Sequence, residues 1–291
     1  MRTSTTEANG LRFTFLEDGE GPLVLLLHGF PDDARTWSHQ IEGLAAAGFH
    51  AVAPYTRGYP PTEVPAGGFF DVATLATDAA ALIRGYGGGP AVVVGHDWGA
   101  ATTYVLAAAH PELVRRAVVM SVPHPAIIAK LLTSAEFAKN AFHFWYFQIE
   151  GLAETALRHD DFAFVDFLWS SWSPSLKDPE HLAEVKETLG RPGAVEAALG
   201  YYRAMLNPAR QDPARADVRA AAFRPIEIPV LGLFGSGEVT EEVARSAGPF
   251  FNAGYRVEMM EGGHFLQRER PEDVTLLLVE WASAVEGATV S

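Results

Sequence analysis

The sequence predicts an α/β fold: a mostly parallel central sheet with helices on both faces and an inserted helical segment. Three observations predict it. Short apolar runs alternate with longer amphipathic stretches over residues 11–122, as in strands joined by crossover helices. Several runs, "LVLLL" and "AVVV" among them, are apolar without alternation, as in strands covered on both faces. Strand-like runs then stop between about 125 and 221 and resume at 228.

Taken in order, "LRFTFLED" (11–18) alternates like a half-exposed strand, and "LVLLLHG" (23–29) and "FHAVAPYTRG" (49–58) read as further strands. "DVATLATDAAALIRGYG" (71–87) is an amphipathic helix closed by glycine. "PAVVVG" (90–95) is a strand, "AATTYVLAAAHPE" (100–112) a helix stopped near Pro111, and "RRAVVMSV" (115–122) a strand. "GYGGGP" (85–90) precedes a strand instead of following one, so it reads as a linker and not as a dinucleotide loop. The inserted segment is helical and rich in aromatics: "FAKNAFHFWYFQIEGLAETAL", "DFAFVDFLWSSW" and "VEAALGYYRAML". Strands return in "IPVLGLFGSG" (228–237) and "YRVEMMEGG" (255–263), and "PEDVTLLLVEWASAVEG" is a closing helix. The division is a core of 1–124 and 222–291 and a helical lid of 125–221.

Composition narrows the function. The 291 residues are 48% hydrophobic and 20% charged, with a formal net charge of −14, which would repel nucleic acid phosphates. With no cysteine, disulfides, thiolate catalysis and cysteine-ligated zinc drop out together, and a cytoplasmic location fits. "MRTSTTEANGLRF" lacks the apolar core of a signal peptide, and "PLVLLLHGF" is too short to span a bilayer, so no membrane partner is expected. None of the four asparagines begins an N-x-S/T site. There is no G-x-x-x-x-G-K-[ST] and no H-E-x-x-H; His159 beside Asp160 and Asp161 reads as a solvated surface. No metal is expected. The assembly is left open between a monomer and a homodimer.

The chemistry centres on "VVVGHDWGAA" (92–101). A strand runs into a glycine-flanked turn and then a helix, the turn that in G-x-S-x-G proteins presents a nucleophilic serine. Here the apex is Asp97. Glu238 in "FGSGE" and His264 in "EGGHF" each follow a strand, giving the order nucleophile, acid, histidine, at strand ends where α/β sheets collect their ligands. Glu238, one methylene longer than aspartate, is the acid candidate in that order. The loop "HGFPDDARTW" (28–37) supplies a backbone N–H at Phe30 that, with the N–H of Trp98, forms an oxyanion hole.

These motifs, H-G-F-P, R-G-Y, G-H-D-W-G-A and G-G-H-F with the helical insert between them, resemble the α/β-hydrolase superfamily, specifically its epoxide hydrolase and haloalkane dehalogenase branch. The resemblance runs over nearly the whole chain. It implies the α/β-hydrolase fold, a lid over a largely apolar pocket, no cofactor, and a cis bond at Phe30–Pro31. It also accounts for the aspartate. An epoxide or alkyl halide offers an sp³ carbon for in-line displacement, which an ionised carboxylate performs without a base. The following helix's positive end helps keep it ionised. The product is an ester of Asp97, whose carbonyl a water activated by His264 can attack, with Glu238 orienting the imidazole. A serine would form an ether that this water could not cleave.

The resemblance further implies two lid donors for an epoxide oxygen. Tyr202 in "LGYYRAM" matches one. At the other, "HFWYFQ" puts His143 where a tyrosine is usual, leaving His143 or the indole N–H of Trp145 as the second donor, with Trp145, Phe30 and Trp98 as substrate contacts. The expected reaction is the opening of a small apolar epoxide to a vicinal diol. The alternatives are a haloalkane dehalogenase and a non-catalytic ligand-binding protein on the same scaffold. For the dehalogenase, the usual asparagine after H-G is replaced by Phe30, and a lid tryptophan (Trp145, Trp169 or Trp172) would have to substitute. A fluoroacetate-type enzyme is disfavoured because Trp98 and Ala101 stand where its arginines would.

Overall fold

The computed structural model describes residues 1–284. Its strands are β1 (Arg2–Ala8), β2 (Leu11–Asp18), β3 (Leu23–Leu27), β4 (His50–Pro54), β5 (Ala91–His96), β6 (Val114–Met120), β7 (Val230–Gly235) and β8 (Tyr255–Met260). They form one sheet in the order β1-β2-β4-β3-β5-β6-β7-β8. The β1–β2 and β2–β4 pairs are antiparallel, and every later pair is parallel. Three helices precede β6: α1 (Ser38–Ala46), α2 (Val72–Gly85) and α3 (Trp98–Ala109). Between β6 and β7 lie α4 (Pro125–Leu131), α5 (Ala135–Asn140), α6 (His143–Tyr146), α7 (Leu152–Arg158), α8 (Ala163–Trp172), α9 (Pro179–Gly190), α10 (Ala194–Leu206) and α11 (Ala216–Ala221). After β7 come α12 (Glu241–Arg245), α13 (Leu266–Glu269) and α14 (Pro271–Ser283). The closing helix was read to residue 287; its last residues lie outside those described.

The continuous apolar runs are strands covered on both faces. Val24, Leu26, Val92, Val94, Val118 and Met120 point to one side, where α1 and α14 pack with Ile41, Leu44, Leu278 and Trp281. Leu25, Leu27, Val93, Ala117 and Val119 point to the other, under α2 and α3. The period of two explains the division. Asp71 opens α2 by accepting from the Ala73 N–H, an N-cap that fits the helix start.

Several elements were not foreseen, β1 and α1 among them. Strand β1, "RTSTTEA", lies at the sheet edge with β2 as its one partner and is largely exposed, so no apolar pattern marks it. Helix α1 carries a weak amphipathic pattern and buries only Gln40, Ile41 and Leu44. The inserted segment is helical, but α11 packs against α2 and α3, with Val218 in their apolar cluster. The sheet's helical layer thus reaches back into the segment read as lid.

The lid's apolar interior is continuous with one face of the core through Phe147, Leu168, Trp169, Leu199, Tyr201 and Tyr202. Polar ties reinforce it. The Trp169 indole donates to the Pro31 carbonyl at 2.9 Å, His181 Nε2 meets Asp32 Oδ1 at 2.8 Å, and the Tyr201 hydroxyl donates to the Arg57 carbonyl at 2.7 Å.

Candidate active site

Strand β5 is central, paired with β3 and β6, and its C-terminal end delivers Asp97 between sheet and lid. Asp97 caps α3 with φ 53° and ψ −117°. Such a conformation is strained for a residue with a Cβ, and it turns the side chain away from both strand and helix. The turn closes only around small neighbours: a Cβ on Gly99 would lie 2.0 Å from the Leu27 carbonyl oxygen, and one on Gly29 would lie 2.3 Å from Asp97 Oδ1.

The Phe30 N–H donates to Asp97 Oδ1 at 2.7 Å; the Phe30–Pro31 peptide that follows is cis. The Trp98 N–H also bonds to the carboxylate. Asp97 Oδ2 lies 3.6 Å from His264 Nε2. On the other side of that ring, Nδ1 meets Glu238 Oε1 at 2.5 Å. The structure therefore brings together Asp97, His264, Glu238, Phe30 and Trp98, which are widely separated in sequence.

Burial raises the Asp97 pKa to about 6; the charge of His264 and the Phe30 and Trp98 N–H groups pull it down but do not cancel the burial. For His264 burial works downward, yet Glu238, by charge and hydrogen bond, and Asp97 outweigh it, and the pKa is raised. Both shifts are upward, Asp97 by burial and His264 by the carboxylates beside it, and such perturbed groups cluster at active sites.

Above Asp97 is a cavity of about 370 Å³. Asp97, Trp98 and Tyr202 line it, together with Val122 and Ile128 on the α4 side and Met205 near the end of α10. Its lining is predominantly apolar, as suits a small apolar ligand held by few polar groups. Tyr202 is buried, and its ring stands edge-on to Trp98 at 5.0 Å and Phe30 at 5.5 Å. Burial, then the Asp97 charge, holds the phenol pKa well above its ordinary value, so the hydroxyl keeps its proton.

His143 is buried beside Tyr202, ring centroids 5.4 Å apart, with Nδ1 unpartnered. Burial, then His264, lowers its pKa to about 3, so its imidazole is neutral. Trp145 must be corrected. It is 37% exposed, where His143 is buried, and it packs against Phe137 and Phe144 while His143 packs against Tyr202; neither residue is in the cavity lining. On a four-residue helix, positions 143 and 145 point in different directions, and the lid aromatics claim the inward one for His143. Trp172 emerges instead, its ring 4.9 Å from both His143 and His264. In sequence it was one of three interchangeable lid tryptophans. Among the described residues, no group of three or more acidic or histidine side chains is arranged to hold a metal ion, and no helix is long and apolar enough to cross a membrane.

Comparisons with known proteins agree with this architecture. A family model for the alpha/beta hydrolase fold matches residues 22–217. Epoxide hydrolase A of Mycobacterium tuberculosis is 30% identical over an alignment of 322 residues, covering 96% of this chain and 97% of its own. The AB hydrolase superfamily protein YfhM of Bacillus subtilis is 29% identical over 268 residues, 90% of each chain. The crystal structure of an epoxide hydrolase from Bacillus megaterium in complex with an inhibitor superposes with a TM-score of 0.81 at 25% identity, covering 96% of this chain and 99% of that one. With the aspartate-bearing turn, the lid and the strand-end histidine already in view, the chain belongs to the α/β-hydrolase fold family and is an epoxide hydrolase-like hydrolase.

Proposed function

We propose that the protein opens a small apolar epoxide to a vicinal diol through an ester on Asp97. The observation that carries the reading is the two-sided grip on the Asp97 carboxylate: Oδ1 on the Phe30 N–H at 2.7 Å, Oδ2 turned to His264 at 3.6 Å. Oδ2 attacks an epoxide carbon, and the C–O bond breaks with its electron pair leaving on the ring oxygen. Tyr202, lining the same cavity, gives that oxygen its proton, and neutral His143, packed against Tyr202 just behind that lining, is the second donor. In the second step His264 Nε2 takes a proton from water, and the hydroxide adds to the carbonyl carbon of the ester. The Phe30 and Trp98 N–H groups stabilise the oxyanion, and Glu238 offsets the imidazolium charge. Collapse releases the diol. Water's two protons go to the departing oxygen and to the tyrosinate, restoring the enzyme.

The names of the relatives support epoxide chemistry, and so does the side-chain arrangement. A halide needs paired N–H donors. Besides Trp98, the lid offers Trp169, whose indole is spent on the Pro31 carbonyl, and Trp145 and Trp172, both outside the cavity lining. The test is His264→Gln mixed with styrene oxide and other apolar epoxides. Mass spectrometry is expected to find a stable adduct on the peptide containing Asp97. An unmodified peptide, with an epoxide that the wild type turns over, counts against the ester.

A further inference from the structure

His264 is gripped by its backbone as well as by its ring. Its N–H donates to the Trp172 carbonyl at 3.0 Å. Its own carbonyl oxygen engages two side chains at once, His96 Nε2 at 2.9 Å and Ser121 Oγ at 2.6 Å. Both are buried, at 0% and 3% exposure. A carbonyl only accepts, so His96 Nε2 carries its proton, and Nδ1, buried without a partner, is bare. Burial, then the neighbouring His264, lowers the His96 pKa to about 3, so the ring stays neutral beside a residue that must itself become charged.

The location of the two donors is informative. His96 is the last residue of β5, immediately before Asp97, and Ser121 follows β6. Ser121 adopts φ 69°, a left-handed conformation costly for any residue with a Cβ. One donor would satisfy a buried carbonyl; here two, from the ends of adjacent strands, occupy it. With the peptide pinned by the lid on its N–H side and by the sheet on its C=O side, only the side-chain torsions of His264 remain free. Glu238 and the flanking rings of His96 at 4.6 Å and Trp172 at 4.9 Å restrict those.

We infer that His96 and Ser121 are positioning residues: through the His264 carbonyl they hold the imidazole with Nε2 toward Asp97 and Nδ1 on Glu238. The inference rests on the ester mechanism for its catalytic consequence, but the geometry is testable alone. The variants are Ser121→Ala, His96→Leu and His96→Gln, whose carboxamide still has an N–H to donate. The first readout is the His264 Nδ1 proton in the NMR spectrum, shifted far downfield by its short bond to Glu238. The second is single-turnover kinetics resolving alkylation from ester hydrolysis. Ser121→Ala and His96→Leu are expected to move the Nδ1 proton upfield and to slow hydrolysis about 10-fold or more, because a small misplacement of a reacting group is costly. Alkylation should stay within about threefold, since Asp97 keeps its own contacts. His96→Gln is expected to restore both readouts. An unmoved Nδ1 proton in folded Ser121→Ala and His96→Leu overturns the inference, as does equal slowing of both steps. If His96→Leu does not fold, Ser121→Ala carries the test. Failure of the ester reading shows separately, as absence of an adduct in His264→Gln, and the proton shift then decides this inference by itself.

Discussion

Asp97 meets two opposed demands. It must be ionised to attack, yet it is packed where ionisation is expensive, and its pKa of about 6 records the balance. The sign for activity follows directly. Alkylation is expected to fall about tenfold per pH unit below that value and to level off above it. His264 lowers the Asp97 pKa, so in His264→Gln the same profile should move to higher pH. A single-turnover series across pH 4–9 checks both. The stability consequence has the opposite sense to that of a salt-bridged carboxylate. Raised above the ordinary 3.8, Asp97 costs the folded state up to about 3 kcal/mol above pH 6, and the cost vanishes as pH falls through that value toward 4. Asp97→Asn should therefore unfold at higher urea than wild type at pH 7 and lose that advantage by pH 4. At the opposite wall, Tyr202→Phe removes a donor that acts on the developing alkoxide. Alkylation should slow about 100-fold or more, with hydrolysis much less affected. Slowing confined to hydrolysis would assign Tyr202 another role.

At the scale of elements, the turn between β5 and α3 is the part most dependent on backbone fit. Gly99→Ala drives a methyl group into the Leu27 carbonyl and is expected to destabilise the fold by about 3 kcal/mol or more, measured by urea denaturation. An unchanged midpoint would mean the turn has slack that the structure does not show. This turn was legible in sequence because one constraint writes itself in residues: a buried strand, small neighbours and a polar apex. The strands ahead of Glu238 and His264 were legible too, β7 as an apolar run and β8 as a shorter alternating one, each with glycines behind it. Strand β1 was not, since an edge strand held by backbone hydrogen bonds needs no apolar code. Nor could the segment 125–221 be divided correctly from sequence, because α11 uses the same apolar pattern to cover α2 and α3 as the lid helices use to cover one another. The sequence left the choice between His143 and Trp145 open for a related reason. Both are aromatics in one short helix, and only the packing around Tyr202 decides which faces inward.

Across the whole molecule, catalysis depends on the lid and the core being held in register, for Tyr202 comes from one and Asp97 from the other. The buried His181–Asp32 contact at 2.8 Å is one of the ties. Burial pulls the His181 pKa down, but Asp32 outweighs it and the value is raised. The tie is therefore at full strength below the ordinary histidine value of 6.5 and weakens as pH rises through the higher folded value. His181→Ala, which strands a buried carboxylate, is expected to cost about 3 kcal/mol at pH 6 and less at pH 9. Hydrogen exchange of α9 should rise in parallel; identical losses at the two pH values would show that the tie does not depend on charge. The central claim concerns the route of one oxygen atom through this assembled site. A single turnover with enzyme in excess, in ¹⁸O-enriched water, tests it directly. The ester route predicts a diol whose new hydroxyl is almost entirely ¹⁶O, with the label left in the Asp97 carboxylate. A diol carrying ¹⁸O from that first turnover would contradict it, making water the direct nucleophile and Asp97 a base or an electrostatic partner.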